Sequence, residues 1–116
     1  KGEGTDQLKK CSFYDKFISC QSYINKKYTF EETASIIKSC DLIITCDTSL
    51  AHLSAGLGKT TWILLNYVAE WRWGLDSKNT FWYDSLKIFR QKKCRKWGVV
   101  IDAVLSELKS YLKELE

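Results

Sequence analysis

Asp47, Thr48, Ser49 and His52 place a carboxylate, two hydroxyls and an imidazole within six consecutive residues. Those are the residue types of a hydrolytic triad, but the spacing does not suit one. On a helix Ser49 and His52 are neighbours at i, i+3. Asp47 then cannot reach the far ring nitrogen as the orienting third member, and no G-x-S-x-G elbow is present. Anion binding suits the segment better. It lies where a buried strand leaves its sheet and a helix begins, and in open α/β sheets ligands bind beyond the carboxyl ends of the strands. Unpaired N–H groups near Ser49 and Leu50, at the positive end of the helix dipole, make a phosphate site. Thr48 and Ser49 add hydroxyl donors, and Asp47 offers an acceptor to ligand hydroxyls. Spacing alone also admits a plainer arrangement, in which Asp47 or Thr48 only caps the helix and His52 is a satisfied, half-buried residue.

Other motifs carry less. Gly58-Lys59-Thr60 has the look of a P-loop end, but position 53 is Leu where that loop needs Gly. A helix also precedes it and a strand follows, the reverse of the required order. The cysteines (Cys11, Cys20, Cys40, Cys46, Cys94) show no CxxC spacing, and His52 is not set among them, so no metal site is expected. They read as reduced thiols of a cytoplasmic protein, with Cys40 and Cys46 as small core residues. The run Arg90, Lys92, Lys93, Arg95 and Lys96 reads as a solvated loop, the alternative being contact with an anionic acceptor or a neighbouring domain. Nucleic-acid binding is not expected: the run is short and the net charge is only +4.

The elements that position these residues follow from periodicity. A short helix is predicted over Asp6–Cys11 with Thr5 as N-cap, a short buried strand over Phe17–Cys20, and a polar loop over Gln21–Tyr28. Thr29 and Glu32 form a capping box for a helix reaching Ser39 or Cys40, burying Phe30, Ala34, Ile36 and Ile37. Leu42–Thr45 reads as a strand buried on both faces. Thr48–Leu57 reads as a helix with Leu50, Leu53 and Leu57 on its inner stripe and Gly58 as its stop. Thr60–Leu65 is a second buried strand, which makes a parallel strand–helix–strand crossover. Residues 66–85 form an aromatic loop in which Trp71 and Trp73 either line a cleft, with Arg72 pairing to an anion, or seal the sheet edge. Leu86–Arg90 alternates like a strand. Residues 98–116 form an amphipathic helix with Ile101, Val104, Leu105, Leu108, Tyr111, Leu112 and Leu115 on one face.

At 116 residues, with 45% hydrophobic and 28% charged, the chain suits one domain and is neither disordered nor fibrous. No apolar run nears the roughly 18 residues of a membrane span. The chain contains no Met, and the expectation is a portion excised from a longer protein. About four strands are expected in the chain, with one or more further N-terminal strands left behind outside it.

The stretch from Asp41 through Asp47-Thr48-Ser49-Leu50-Ala51-His52 to Lys59 resembles the donor-binding motif of the heptosyltransferase-like family 9 glycosyltransferases. It is closer still to the glycosyltransferase-like domain that follows tetratricopeptide repeats in some bacterial proteins. Those carry tracts like Glu70-Trp71-Arg72-Trp73 and Trp82-Tyr83-Asp84-Ser85-Leu86-Lys87-Ile88-Phe89-Arg90-Gln91, in that order. Lys1-Gly2-Glu3-Gly4 is similar to the turn after that domain's early strand. The resemblance implies a GT-B fold, of which this chain is most of the C-terminal half: a partial Rossmann-like, mostly parallel sheet flanked by helices. It implies a nucleotide-sugar donor met by Asp47, Thr48, Ser49 and Leu50, with His52 close behind, and a ribose met by Glu3 or Asp6. Trp71, Arg72 and Trp73 are the cleft-lining candidates. It implies no metal or other cofactor, and leaves the catalytic base and acceptor site to the absent N-terminal half. Ser49 stands where the family often has Gly, Thr60 where Pro is usual, and Glu70 where Asp is usual. The alternative function is a non-catalytic interaction module of the same fold, whose final amphipathic helix and aromatic loop dock tetratricopeptide repeats or a partner chain; an exposed sheet edge separately offers pairing with a second copy.

Overall fold

The computed structural model describes residues 5–24, 29–75 and 78–116. Two single-turn helices, α1 (Thr5–Leu8) and α2 (Gln21–Ile24), lead into α3 (Glu31–Ser39). Then follow β1 (Ile43–Cys46), α4 (Ser49–Gly56), β2 (Thr61–Leu65), β3 (Leu86–Arg90) and α5 (Trp97–Leu115). The three strands form one all-parallel sheet in the order β1-β2-β3. Cys46 stands opposite Leu64, and Leu65 opposite Arg90, so the strands end nearly level.

Side chains alternate across the strands and split the core in two. Ile63 and Leu65 of β2 and Leu86 and Ile88 of β3 face Ala51 and Ala55 of α4, with Trp73 in the same cluster. Trp62 and Phe89 point the other way, against Val100 and Val104 of α5. A central strand covered on both faces reads as the continuous apolar run Trp62–Leu65.

α4 lies close on the sheet because its inner face is small: Ala51, Ser54 and Ala55 are buried. The leucine stripe expected there is displaced, with Leu50 and Leu53 half-buried and Leu57 exposed. Three leucines on the inner face would push the helix away from β2. A buried hydroxyl pair ties the two elements: Thr61 Oγ1 donates to Ser54 Oγ at 3.0 Å, while Ser54 Oγ donates to the Leu50 carbonyl at 2.8 Å.

α4 ends in a Schellman motif. Gly58 N–H donates to the Ala55 carbonyl and Lys59 N–H to the Ser54 carbonyl. Gly58 holds φ +71, and a Cβ there would meet nothing within 4 Å. Gly58→Ala is therefore expected to lose stability through the backbone alone, by about 1–2 kcal/mol, read as a lower urea midpoint at unchanged slope.

Several expectations are corrected. Phe17–Cys20 forms no strand and Ile18 is exposed, since no neighbouring strand offers it a ladder. The predicted loop over Gln21–Tyr28 begins as α2, while residues 25–28 lie outside the described ones. The helix over Asp6–Cys11 is only the turn Thr5–Leu8. Thr29 Oγ1 bonds the Glu32 carboxylate at 3.4 Å, but α3 starts later, at Glu31, without a side-chain cap, and Phe30 is exposed. β1 is covered on alternate residues only, its Ile44 and Cys46 face lying open, and nothing among the described residues pairs with its outer edge; Cys46 is exposed and Cys40 half-buried. The sheet has three strands among the described residues, not four.

On α5 only Val100 and Val104 are buried, while Ile101, Leu105, Leu112 and Leu115 are exposed. A helix of 19 residues is roughly 28 Å long, whereas five-residue strands reach only about 17 Å. The helix overhangs the sheet that should cover its stripe.

Candidate functional site

The carboxyl end of β1 delivers the chain straight into α4. Thr48 is extended (φ −145, ψ 169) and makes no side-chain cap; its carbonyl accepts Ala51 N–H at 3.0 Å. The Thr48 hydroxyl is instead occupied outside the helix, near Thr45 Oγ1 at 3.4 Å and the Cys46 carbonyl at 3.5 Å. The backbone N–H groups of Ser49 and Leu50 have no acceptor among the described residues, as the first turn of a helix requires. Asp47, Thr48 and Ser49 are exposed and Leu50 half-buried. Carboxylate, hydroxyls and free amides are thus neighbours at one strand end; neither Asp47 nor Thr48 caps the helix through its side chain, whereas His52 is half-buried and hydrogen-bonded as the plainer arrangement has it.

His52 is one turn further on. Its Nδ1 lies 3.0 Å from the Tyr83 hydroxyl. Its ring stacks on Trp73 at 5.0 Å between centroids and 24° between planes, with Tyr83 edge-on at 5.8 Å. Two aromatic residues from the long loop therefore hold the imidazole in place. Tyr83→Phe is expected to cost about 0.5–1.5 kcal/mol and to free the imidazole tautomer, which ring-nitrogen NMR of His52 reads directly.

The three cleft-lining candidates separate. Trp73 is 1% exposed and belongs to the core beneath His52. Trp71 is 72% exposed, with the Arg72 guanidinium 5.1 Å above its ring, and Arg72 also pairs with Glu70. Asp6 is exposed on α1 and pairs with Lys9 at 3.1 Å, and no residue of α1 enters either core cluster. Glu3 lies outside the described residues.

A groove of about 440 Å³ opens over the ends of β1 and β2, lined by Asp47, Asn66, Glu70 and Trp97 among others. Asn66 and Trp97 were not among the sequence candidates. Asn66 leaves β2 as Asp47 leaves β1, so the strand-end rule applied to the second strand finds it. Trp97 comes from the start of α5, and no local spacing marks it. No group of three His, Cys, Asp or Glu placed to hold a metal ion, and no helix long and apolar enough to cross a membrane, occurs among the described residues.

An all-parallel sheet with helices on both faces and a groove beyond its strand ends defines a Rossmann-like α/β protein. The model of glycosyltransferase family 9 (heptosyltransferase) matches residues 18–96, more than half of the chain, and the chain belongs to that family. The match takes in β1, α4, β2 and β3 together with the groove residues up to Glu70. It supports a glycosyltransferase-like function with a sugar donor as substrate. No curated protein and no solved structure matches the chain.

Proposed function

We propose that the chain is the nucleotide-sugar donor-binding portion of a GT-B glycosyltransferase that transfers the sugar to an acceptor hydroxyl. One observation carries this reading: at the end of β1 the Ser49 and Leu50 amides have no acceptor among the described residues, beside the exposed Ser49 and Asp47 side chains and within the segment that the family model covers. The amides and the helix dipole receive the diphosphate. They favour transfer most where negative charge grows on the departing nucleoside diphosphate. Asp47 accepts hydrogen bonds from donor hydroxyls, and His52, braced by Tyr83 and Trp73, backs the site. The base that activates the acceptor comes from the other half of the protein. In that frame the uncovered edge of β1, with Ile44 exposed, is where a further strand of the same protein or of a second copy pairs.

Calorimetric titration of ADP, GDP, UDP and CDP tests the reading. Saturable binding of one nucleotide supports it and names the base. Failure of all four, in this chain and in the longer protein alike, removes it. The second reading, an interaction module, is favoured by the exposed outer stripe of α5, Ile101, Leu105 and Leu112, which suits a tetratricopeptide repeat. That reading requires the nucleotide titrations to stay flat.

A further inference from the structure

A second groove, of about 690 Å³, lies beside the first over the ends of β2 and β3, and Val68 lines both. Their charges are opposite. The first carries Asp47 and Glu70, the latter paired with Arg72, whereas the second carries Lys78, Arg90 and Lys92 and no acidic residue among its described lining. None of the three cations is in an ion pair among the described residues. Three cations with no ion pair among the described residues raise the potential inside one concavity, and apolar walls, here Leu75 and the Tyr67 ring, concentrate that field.

Two of the residues lining the groove also hold buried donors with no partner among the described residues. Gln91 is 3% exposed; its Oε1 accepts Tyr67 N–H at 3.2 Å, and its Nε2 has no partner among the described residues. The backbone N–H of Tyr67 requires an oxygen, so the carboxamide cannot be turned round to spend the amide there. Arg90 is held in place by two bonds from Nη2, to the Trp73 carbonyl at 2.9 Å and the Gly74 carbonyl at 2.8 Å, while its Nε is buried without an acceptor among the described residues. Buried donors normally have partners, and these two, sealed just beneath the groove, are partnered by an entering anion once the side chains that cover them shift.

We infer that this groove is an anion site for a phosphate-bearing group, with Lys78 and Lys92 drawing it in and Arg90 and Gln91 fixing it. A phosphate offers enough acceptor oxygens to take both donors and both ammonium groups together. The inference does not depend on the donor site at Asp47. Its phosphate comes either from the donor's own diphosphate, reaching across Val68, or from a phosphorylated acceptor.

The probe is inorganic pyrophosphate, titrated into the ¹⁵N-labelled chain while the Gln91 side-chain amide is followed. Saturable movement of that resonance is expected. The affinity should fall about tenfold or more in a Lys78→Gln, Lys92→Gln double variant, both positions being exposed and remote from the core. Gln91→Glu keeps the acceptor for Tyr67, replaces the amide donor by a carboxylate oxygen, and is expected to abolish binding. Competition between pyrophosphate and the bound nucleoside diphosphate assigns the groove to the donor; simultaneous binding assigns it to the acceptor. Either result supports the site. Pyrophosphate that moves the Ser49 and Leu50 amides but not Gln91, or whose affinity ignores the lysine substitutions, overturns it, as does no binding at all.

Discussion

Trp73→Ala is expected to destabilise the protein by about 3–5 kcal/mol, the largest stability effect of any single side chain discussed above. Domains of this size are stable by only about 5–15 kcal/mol, so the variant will be near its unfolding threshold. The reason is placement. Trp73 sits on a single 3₁₀ turn, Trp71–Trp73, yet fills the centre of the cluster between α4 and the sheet. The turn is clamped from β3 by the Arg90 bonds to the Trp73 and Gly74 carbonyls. Gly74, at φ 63 and ψ −174, then takes the chain out through a conformation that side chains resist. Truncation leaves a cavity that this clamped loop cannot collapse into, and it removes the face on which His52 stacks. Trp73→Phe should recover much of the loss. Urea unfolding of the three proteins measures it; a cost below about 1 kcal/mol, the size of an ordinary surface change, would place Trp73 outside the core.

Asp47→Ala is expected to weaken nucleotide-sugar binding about 10- to 100-fold, the range of a lost charged hydrogen bond, with stability unchanged. Asp47 is exposed and makes no hydrogen bond or ion pair among the described residues. Nothing in the fold depends on it, and any effect on affinity belongs to the ligand. Calorimetry of the variant against the parent gives the ratio. Equal affinities would mean that the carboxylate is only solvated.

The sequence reveals the middle of this fold well and its ends poorly. β1, α4, β2 and β3 are legible because each is bounded by residues with one physical use, such as Gly58 at a left-handed helix end and Asp47 at a strand end. Periodicity, however, says which residues share a face, not which face lies closest to the sheet. In α4 three leucines gave the stronger stripe, yet Ala51, Ser54 and Ala55 permit the closer approach and are buried. The same limit applies to α5, whose apolar stripe is longer than the sheet beneath it. Phe17–Cys20 is β-prone by composition, but a strand exists only with a partner.

The candidate site divides likewise. The Asp47–His52 segment is local, so spacing finds it. Asn66, Trp97, Tyr83 and Gln91 come from four separate parts of the chain; the parallel register brings Asn66 and Gln91 to the sheet's carboxyl ends, whereas Tyr83 precedes β3 and reaches His52 only through its side chain. Trp71, Arg72 and Trp73 look equivalent in sequence. A turn of three residues cannot bury all three, and the structure buries Trp73 alone.

The central claim is that the end of β1 and the start of α4 receive the donor's diphosphate. Amide chemical-shift mapping with the nucleoside diphosphate that calorimetry selects tests it most directly. The largest changes are expected at Ser49 and Leu50, with smaller ones at Asn66 and the Trp97 indole. Saturable binding whose largest changes fall elsewhere, on the outer stripe of α5 for example, would contradict it.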